Sequence, residues 1–137
     1  MATPQQRPIE CVLALGPLDE SELFAFFVSA VRTVSSEAAL RLQARLQLST
    51  DLSGLMLKAG LSEIRVRRLR IDVRVRNGKH LWELCANRDP ETSQIASGLT
   101  WAQQADAQHV LSSMLRERSG ARAAVLTDKI DVATGIK

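Results

Sequence analysis

Apolar positions recur along this chain with two different periods, and the changes of period outline its elements. The run "IECVLAL", residues 9–15, holds one charge in seven residues, the pattern of a strand covered on both faces, and Gly16-Pro17 stops it. A helical period follows. Leu23, Phe26, Phe27, Ala30, Val31 and Val34 form one wide stripe, which predicts a helix through about Val34 capped by Asp19 or Ser21. Ser36 with Glu37 restarts a second amphipathic helix carrying Leu40, Leu42, Leu46 and Leu48. Thr50 or Asp51 caps a short third helix, closed by Gly60.

From Glu63 the period drops to two. In "EIRVRRLRIDVRVR", Ile64 and Val66, then Leu69, Ile71, Val73 and Val75, alternate with charged residues as in a half-buried strand. The phase slips at Arg67-Arg68, which predicts a bulge there. Asn77-Gly78 turns the chain into a short helix bearing Leu81, Trp82, Leu84 and Cys85. Thr100 and Gln103 stand at capping-box spacing and open about five turns of helix that end at Gly120. The closing stretch alternates Val125, Thr127 and Lys129 with Leu126, Asp128 and Ile130, long enough to pair antiparallel with residues 64–75. The expected fold is α/β: about three mixed strands with an antiparallel pair, packed by five or six helices. Residues 1–8 read as a flexible N-terminus and residues 9–137 as one domain.

Composition narrows the class of protein more than its chemistry. Of 137 residues, 45% are hydrophobic and 24% charged, the balance of a globular domain, and no apolar run is long enough to cross a bilayer. The opening "MATPQQRPIE" has no basic segment followed by an apolar stretch, so a cytoplasmic location is expected. Cys11 and Cys85 stand far apart among apolar neighbours, as buried reduced thiols do, and no Cys/His cluster suggests a metal. The net charge of +3 does not demand an anionic partner.

Several short stretches invite a chemical reading. "KIDVATGIK" has the look of a nucleotide-binding turn, yet a phosphate cradle needs a following helix N-terminus, and none follows Lys137. Asp106 and His109 are spaced so that a carboxylate could orient an imidazole, or so that they merely touch at a surface. The arginine-rich "RVRRLRIDVRVRNGK" alternates with apolar residues as a solvated sheet face does. It carries no interleaved aromatics, so no nucleic-acid partner is expected.

The order of four stretches resembles the C-terminal half of class I S-adenosylmethionine-dependent methyltransferases. "VLALGPLDESELFAFFVSAV" looks like their fifth strand and following helix. "DLSGLMLKAGLSEIRVRRLRIDVRV" looks like the helix, turn and sixth strand, with Leu61 where Phe is commoner. "HLWELCANRDPETSQIASGLT" is similar to the insert between the last two strands, and "WAQQADAQHVLSSMLRERSGARAAVLTDKIDVATGIK" to the final helix and seventh strand. The resemblance implies a truncated Rossmann-like half whose substrate pocket would draw on Gly16, Pro17, Phe24, Phe27, His80 and Trp82, although the phenylalanine stripe and Trp82 read more simply as core packing.

What the resemblance lacks shapes the functional expectation. The family grips its cofactor with a Gly-rich turn and an acidic ribose contact N-terminal to the matched region, and only eight residues precede Ile9. The chain alone is therefore expected to bind no cofactor, with S-adenosylmethionine entering only if a partner supplies the missing half. Without a fourth strand, strand 9–15 would keep an open apolar edge, so a homodimer or a protein partner covering it is expected. The function implied is a methyltransferase-like module, non-catalytic alone, acting as a dimer or as partner subunit of a small-molecule methyltransferase. The alternative is a cofactor-independent cyclase or isomerase acting on a hydrophobic metabolite in the same pocket. No membrane partner is expected.

Overall fold

The computed structural model describes residues 10–15, 21–46 and 51–137. These form β1 (Glu10–Leu15), α1 (Glu22–Val34), α2 (Ser36–Leu46), α3 (Leu52–Lys58), β2 (Ser62–Val75), α4 (Gly78–Ala86), α5 (Pro90–Ser97), α6 (Trp101–Ser119) and β3 (Ala124–Ile136). Ile9, Gly16, Pro17, Asp19, Leu48, Thr50 and the expected flexible N-terminus lie outside the described residues.

Local chemistry sets the helix starts. A polar side chain ahead of each helix accepts an N–H that the first turn cannot satisfy internally. Ser21 takes the N–H of Phe24 at 3.1 Å, Asp51 that of Gly54 at 3.0 Å, and Asn77 that of His80 at 2.8 Å. Thr100 and Gln103 complete the reciprocal capping box on α6. Asp89 caps α5 by accepting from both the backbone and the hydroxyl of Thr92, with Pro90 set in the first turn. The "RDPET" start of that helix is written in a capping carboxylate and an N1 proline rather than in apolar spacing.

α3 ends where Gly60 adopts φ +83°, a conformation open to glycine at no cost. Two bonds then close the turn, Gly60 N–H to the Leu57 carbonyl and Leu61 N–H to the Met56 carbonyl, each at 3.0 Å. Leu61 packs against Met56 beside them, completing a Schellman motif.

The three strands form one sheet in the order β1-β3-β2. β3 runs antiparallel to both neighbours, so every pairing is antiparallel where a mixed sheet was expected. β2 and β3 make the long pair anticipated from their patterns, from Val75 opposite Ala124 to Arg65 opposite Thr134. β1 adds a third strand only along Asp131–Ile136.

Opposed residues share a face, so the register assigns each side chain to one side of the sheet. Val73, Val75, Ala124 and Leu126 lie on one face, under the main core built with α1, α4 and α6. Ala133 lies on the other face, under α3, with Leu52, Met56, Leu61 and the half-buried Cys11 and Ile64. The sheet is therefore covered on opposite faces at its two ends.

That exchange explains the phase slip in β2, and it corrects the expected bulge. Pairing is continuous through Arg67 and Arg68, and the irregularity lies between Ser62 and Arg65, where Glu63 has φ 52°. The apolar phase changes at Arg67-Arg68 because the covered face changes, not because a residue is inserted.

Gly135 answers the question of the terminal "DVATG". A Cβ there would sit 3.1 Å from Met56 Cε and 3.2 Å from Leu61 Cβ. The glycine admits the close approach of the α3 turn to β3, a packing role rather than a cradle.

Candidate functional site

The most distinctive surface is the open part of the sheet between its two covered ends. On the face that the main helices cover further along, Leu69 and Ile71 of β2 oppose Ile130 and Asp128 of β3, and Val132 and Val12 follow toward β1. Val12 is 66% exposed, Leu69 44% and Ile71 36%. An apolar strip on a sheet face has water as its neighbour unless something packs on it. β1 was expected to be covered on both faces; α3 shelters its Cys11 side, while Val12 lies open.

Beside the strip, β1 has an unpaired edge. Its one strand partner among the described residues is β3, so half of its backbone N–H and C=O groups face away from any strand. The exposed part of the β3 edge is treated differently. Where β1 stops, the Glu22 carboxylate accepts the Thr127 N–H at 3.4 Å and is itself held by Arg118 at 3.0 Å.

The opposite face of β2 and β3 is charged. Arg68, Arg70, Asp72 and Arg74 stand across from Asp131, Lys129, Thr127 and Val125. Arg68 pairs with Asp131 at 2.7 Å, and this hydrogen bond holds the Asp131 carboxyl below its ordinary value. Arg70 reaches Asp72 at 3.5 Å. At the end of the sheet a cleft of about 180 Å³ is lined by Glu10, Glu63, Arg65, Thr134, Gly135 and Ile136.

The residues singled out from sequence separate into two groups. Phe24, Phe27 and Trp82 meet, with ring centroids 5.6 Å apart for Phe24–Phe27 and 4.9 Å for Phe27–Trp82. All three are buried in the main core, where edge-tilted rings pack closely. Arg88 lies 6.0 Å from the Phe24 ring centroid and pairs with Asp128 at 3.3 Å, closing the side of that core next to the open strip. His80 stands apart from the aromatics: its Nδ1 accepts the Arg76 N–H at 3.1 Å and closes the turn from β2 into α4. Gly16 and Pro17 lie outside the described residues.

Other candidate groups have clear surroundings. Cys85 is buried, its thiol directed at the Leu23 carbonyl at 3.7 Å, and burial pushes its pKa up to about 12 against the opposing pull of Arg88. A thiol so protonated is a poor nucleophile. Asp106 and His109 are both exposed on α6. Among the described residues, no group of three His, Cys, Asp or Glu side chains is placed to hold a metal ion, and no helix is long and apolar enough to cross a membrane.

No protein-family model matches the chain, and no curated protein matches it.

Proposed function

We propose that this chain is a methyltransferase-like module that lacks the cofactor-binding half, is not catalytic alone, and works as a dimer or as partner subunit of a small-molecule methyltransferase. The observation that carries the reading is the one-sided pairing of β1, whose outer edge stands unpaired among the described residues. That edge is where the resemblance asks for a fourth strand. The long antiparallel β2–β3 pair, which joins the middle of the chain to its tail as the resemblance requires, supports it further.

The packing of the aromatic residues favours this reading over a cofactor-independent cyclase or isomerase. A pocket for a hydrophobic metabolite needs an enclosed apolar space. Phe24, Phe27 and Trp82 instead pack against one another, while Val12, Leu69 and Ile71 stand exposed on one sheet face. Calorimetric titration of S-adenosylmethionine into the purified chain tests the proposal. Absence of a binding heat is expected, and micromolar binding by the chain alone would refute it.

A further inference from the structure

We infer that a second copy of this chain covers the edge of β1 that stands unpaired among the described residues, joining the two sheets through an antiparallel β1–β1 pair with Val12 on the two-fold axis. The inference rests on the proposed reading of the chain as a module needing a partner at this edge, and it names that partner.

The two outer edges of the sheet differ in what they allow. β2 presents 14 residues, and arginine occupies positions 65, 67, 68, 70 and 74. In a two-fold antiparallel pairing, residues equidistant from the axis lie opposite one another. For β2, every axis placed from Arg65 to Asp72 sets arginine against arginine. An axis at Leu69 opposes Arg68 and Arg70, one at Ile71 opposes Arg68 and Arg74, and one at Asp72 opposes Arg70 and Arg74. Like charges directly opposite destabilise a strand pair. The positive φ of Glu63 also breaks the regular strand backbone near the start of β2, where its register with β3 shifts, so two features unfavourable to edge pairing stand together on β2.

β1 carries neither feature. In "ECVLAL" the sole charge is Glu10, and the strand is of average length. Side chains must stay on their own face when a two-fold axis stands perpendicular to the sheet, which requires opposed residues of equal parity. An axis at Val12 meets that requirement. It sets Glu10 opposite Ala14 and Cys11 opposite Leu13 of the second copy, with no like-charge contact. It also brings the two exposed Val12 side chains together on the open face. The product is a six-stranded sheet, β2-β3-β1-β1-β3-β2, of ordinary size, whose two outer edges are the arginine-bearing strands.

The test is a charge swap at Val12, an exposed position whose substitution should leave the fold intact, as checked by circular dichroism. In sedimentation equilibrium the wild-type chain should be a dimer. Val12→Glu and Val12→Lys should each dissociate roughly a hundredfold more readily, because each sets its charge against itself. An equimolar mixture of the two variants should recover dimers. In a Cys11→Ser background, Val12→Cys should form an intermolecular disulfide under mild oxidation. A monomeric wild-type chain, a dimer indifferent to both charged variants, or a mixture that stays monomeric would each overturn the inference. A monomer leaves a different partner at the edge, whereas S-adenosylmethionine binding by the chain sinks the functional reading itself, so the two failures are distinguishable.

Discussion

The carboxylate of Glu22, in the first turn of α1, accepts the backbone N–H of Thr127 at the point where β3 runs beyond the end of β1. The same carboxylate receives both terminal nitrogens of Arg118, at 3.0 and 3.2 Å, so one side chain ties the start of α1, the end of α6 and the middle of β3. Removing it leaves a strand N–H without its partner. Glu22→Ala should cost about 1–2 kcal/mol in chemical denaturation, within the range for losing a partner of a part-buried donor. Arg118→Ala should cost less, since its guanidinium is nearly half exposed.

The aromatic trio makes a sharper claim about the core. Phe27 touches both Phe24 and Trp82 and is fully buried. Phe27→Ala should destabilise by about 3–5 kcal/mol, the transfer and cavity cost of a buried ring. Phe27→Leu, which keeps most of the volume, should recover more than half of that. Equal losses for the two variants would show that the ring is not packed as described.

Gly78 lies where α4 packs tightly against α6. Its N–H donates to Ser112 Oγ at 3.0 Å, and a Cβ would stand 2.1 Å from the Gln108 carbonyl oxygen and 2.7 Å from the Ser112 backbone nitrogen. Neither backbone atom can rotate away. Gly78→Ala should therefore lower stability by about 2 kcal/mol or more through overpacking, against the small gain an alanine gives to most helices. Thermal denaturation would show a lower midpoint, and an unchanged midpoint would place the helices further apart.

The Arg68–Asp131 pair sets a pH dependence of definite sign. A carboxyl held below its unfolded value, about 3.9 for Asp, adds stability that is fully present above that value and is lost as pH falls through the lower folded value. Wild type should thus exceed Asp131→Asn in stability at pH 7. The difference should shrink as the medium is acidified below about pH 4 and then vanish. A gap that persisted in strong acid would assign the effect of the substitution to packing instead.

Much of this architecture was legible because local chemistry and apolar spacing agreed. Ser21, Asp51, Asn77 and Thr100 all cap the helices they announce, and Gly60 ends α3 through a left-handed φ. Patterns shaped by tertiary covering were harder to read. The slip at Arg67-Arg68 looks like an insertion from within β2, and only the positions of α3 and the main helices show that it records a change of face. The same limit applies to Val12. Its run is as apolar as that of a fully covered strand, so a sequence pattern cannot say whether the cover belongs to this chain.

Site chemistry was less legible than fold. An aromatic stripe is written identically for a core and for a pocket wall, and burial together with close ring contacts puts Phe24, Phe27 and Trp82 in the core. Nothing in the sequence around His80 announces that its imidazole accepts the backbone N–H of Arg76, four residues back across a turn. Asp89-Pro90, by contrast, carried a readable helix start.

The central proposal is that these residues shape a methyltransferase-like module without themselves gripping adenosine. Isothermal titration of S-adenosylmethionine into the purified chain at pH 7.5, about an order of magnitude above the concentration of protein sites, tests it most directly. The account requires no saturable heat; a saturable isotherm with micromolar affinity and one site per chain would contradict it.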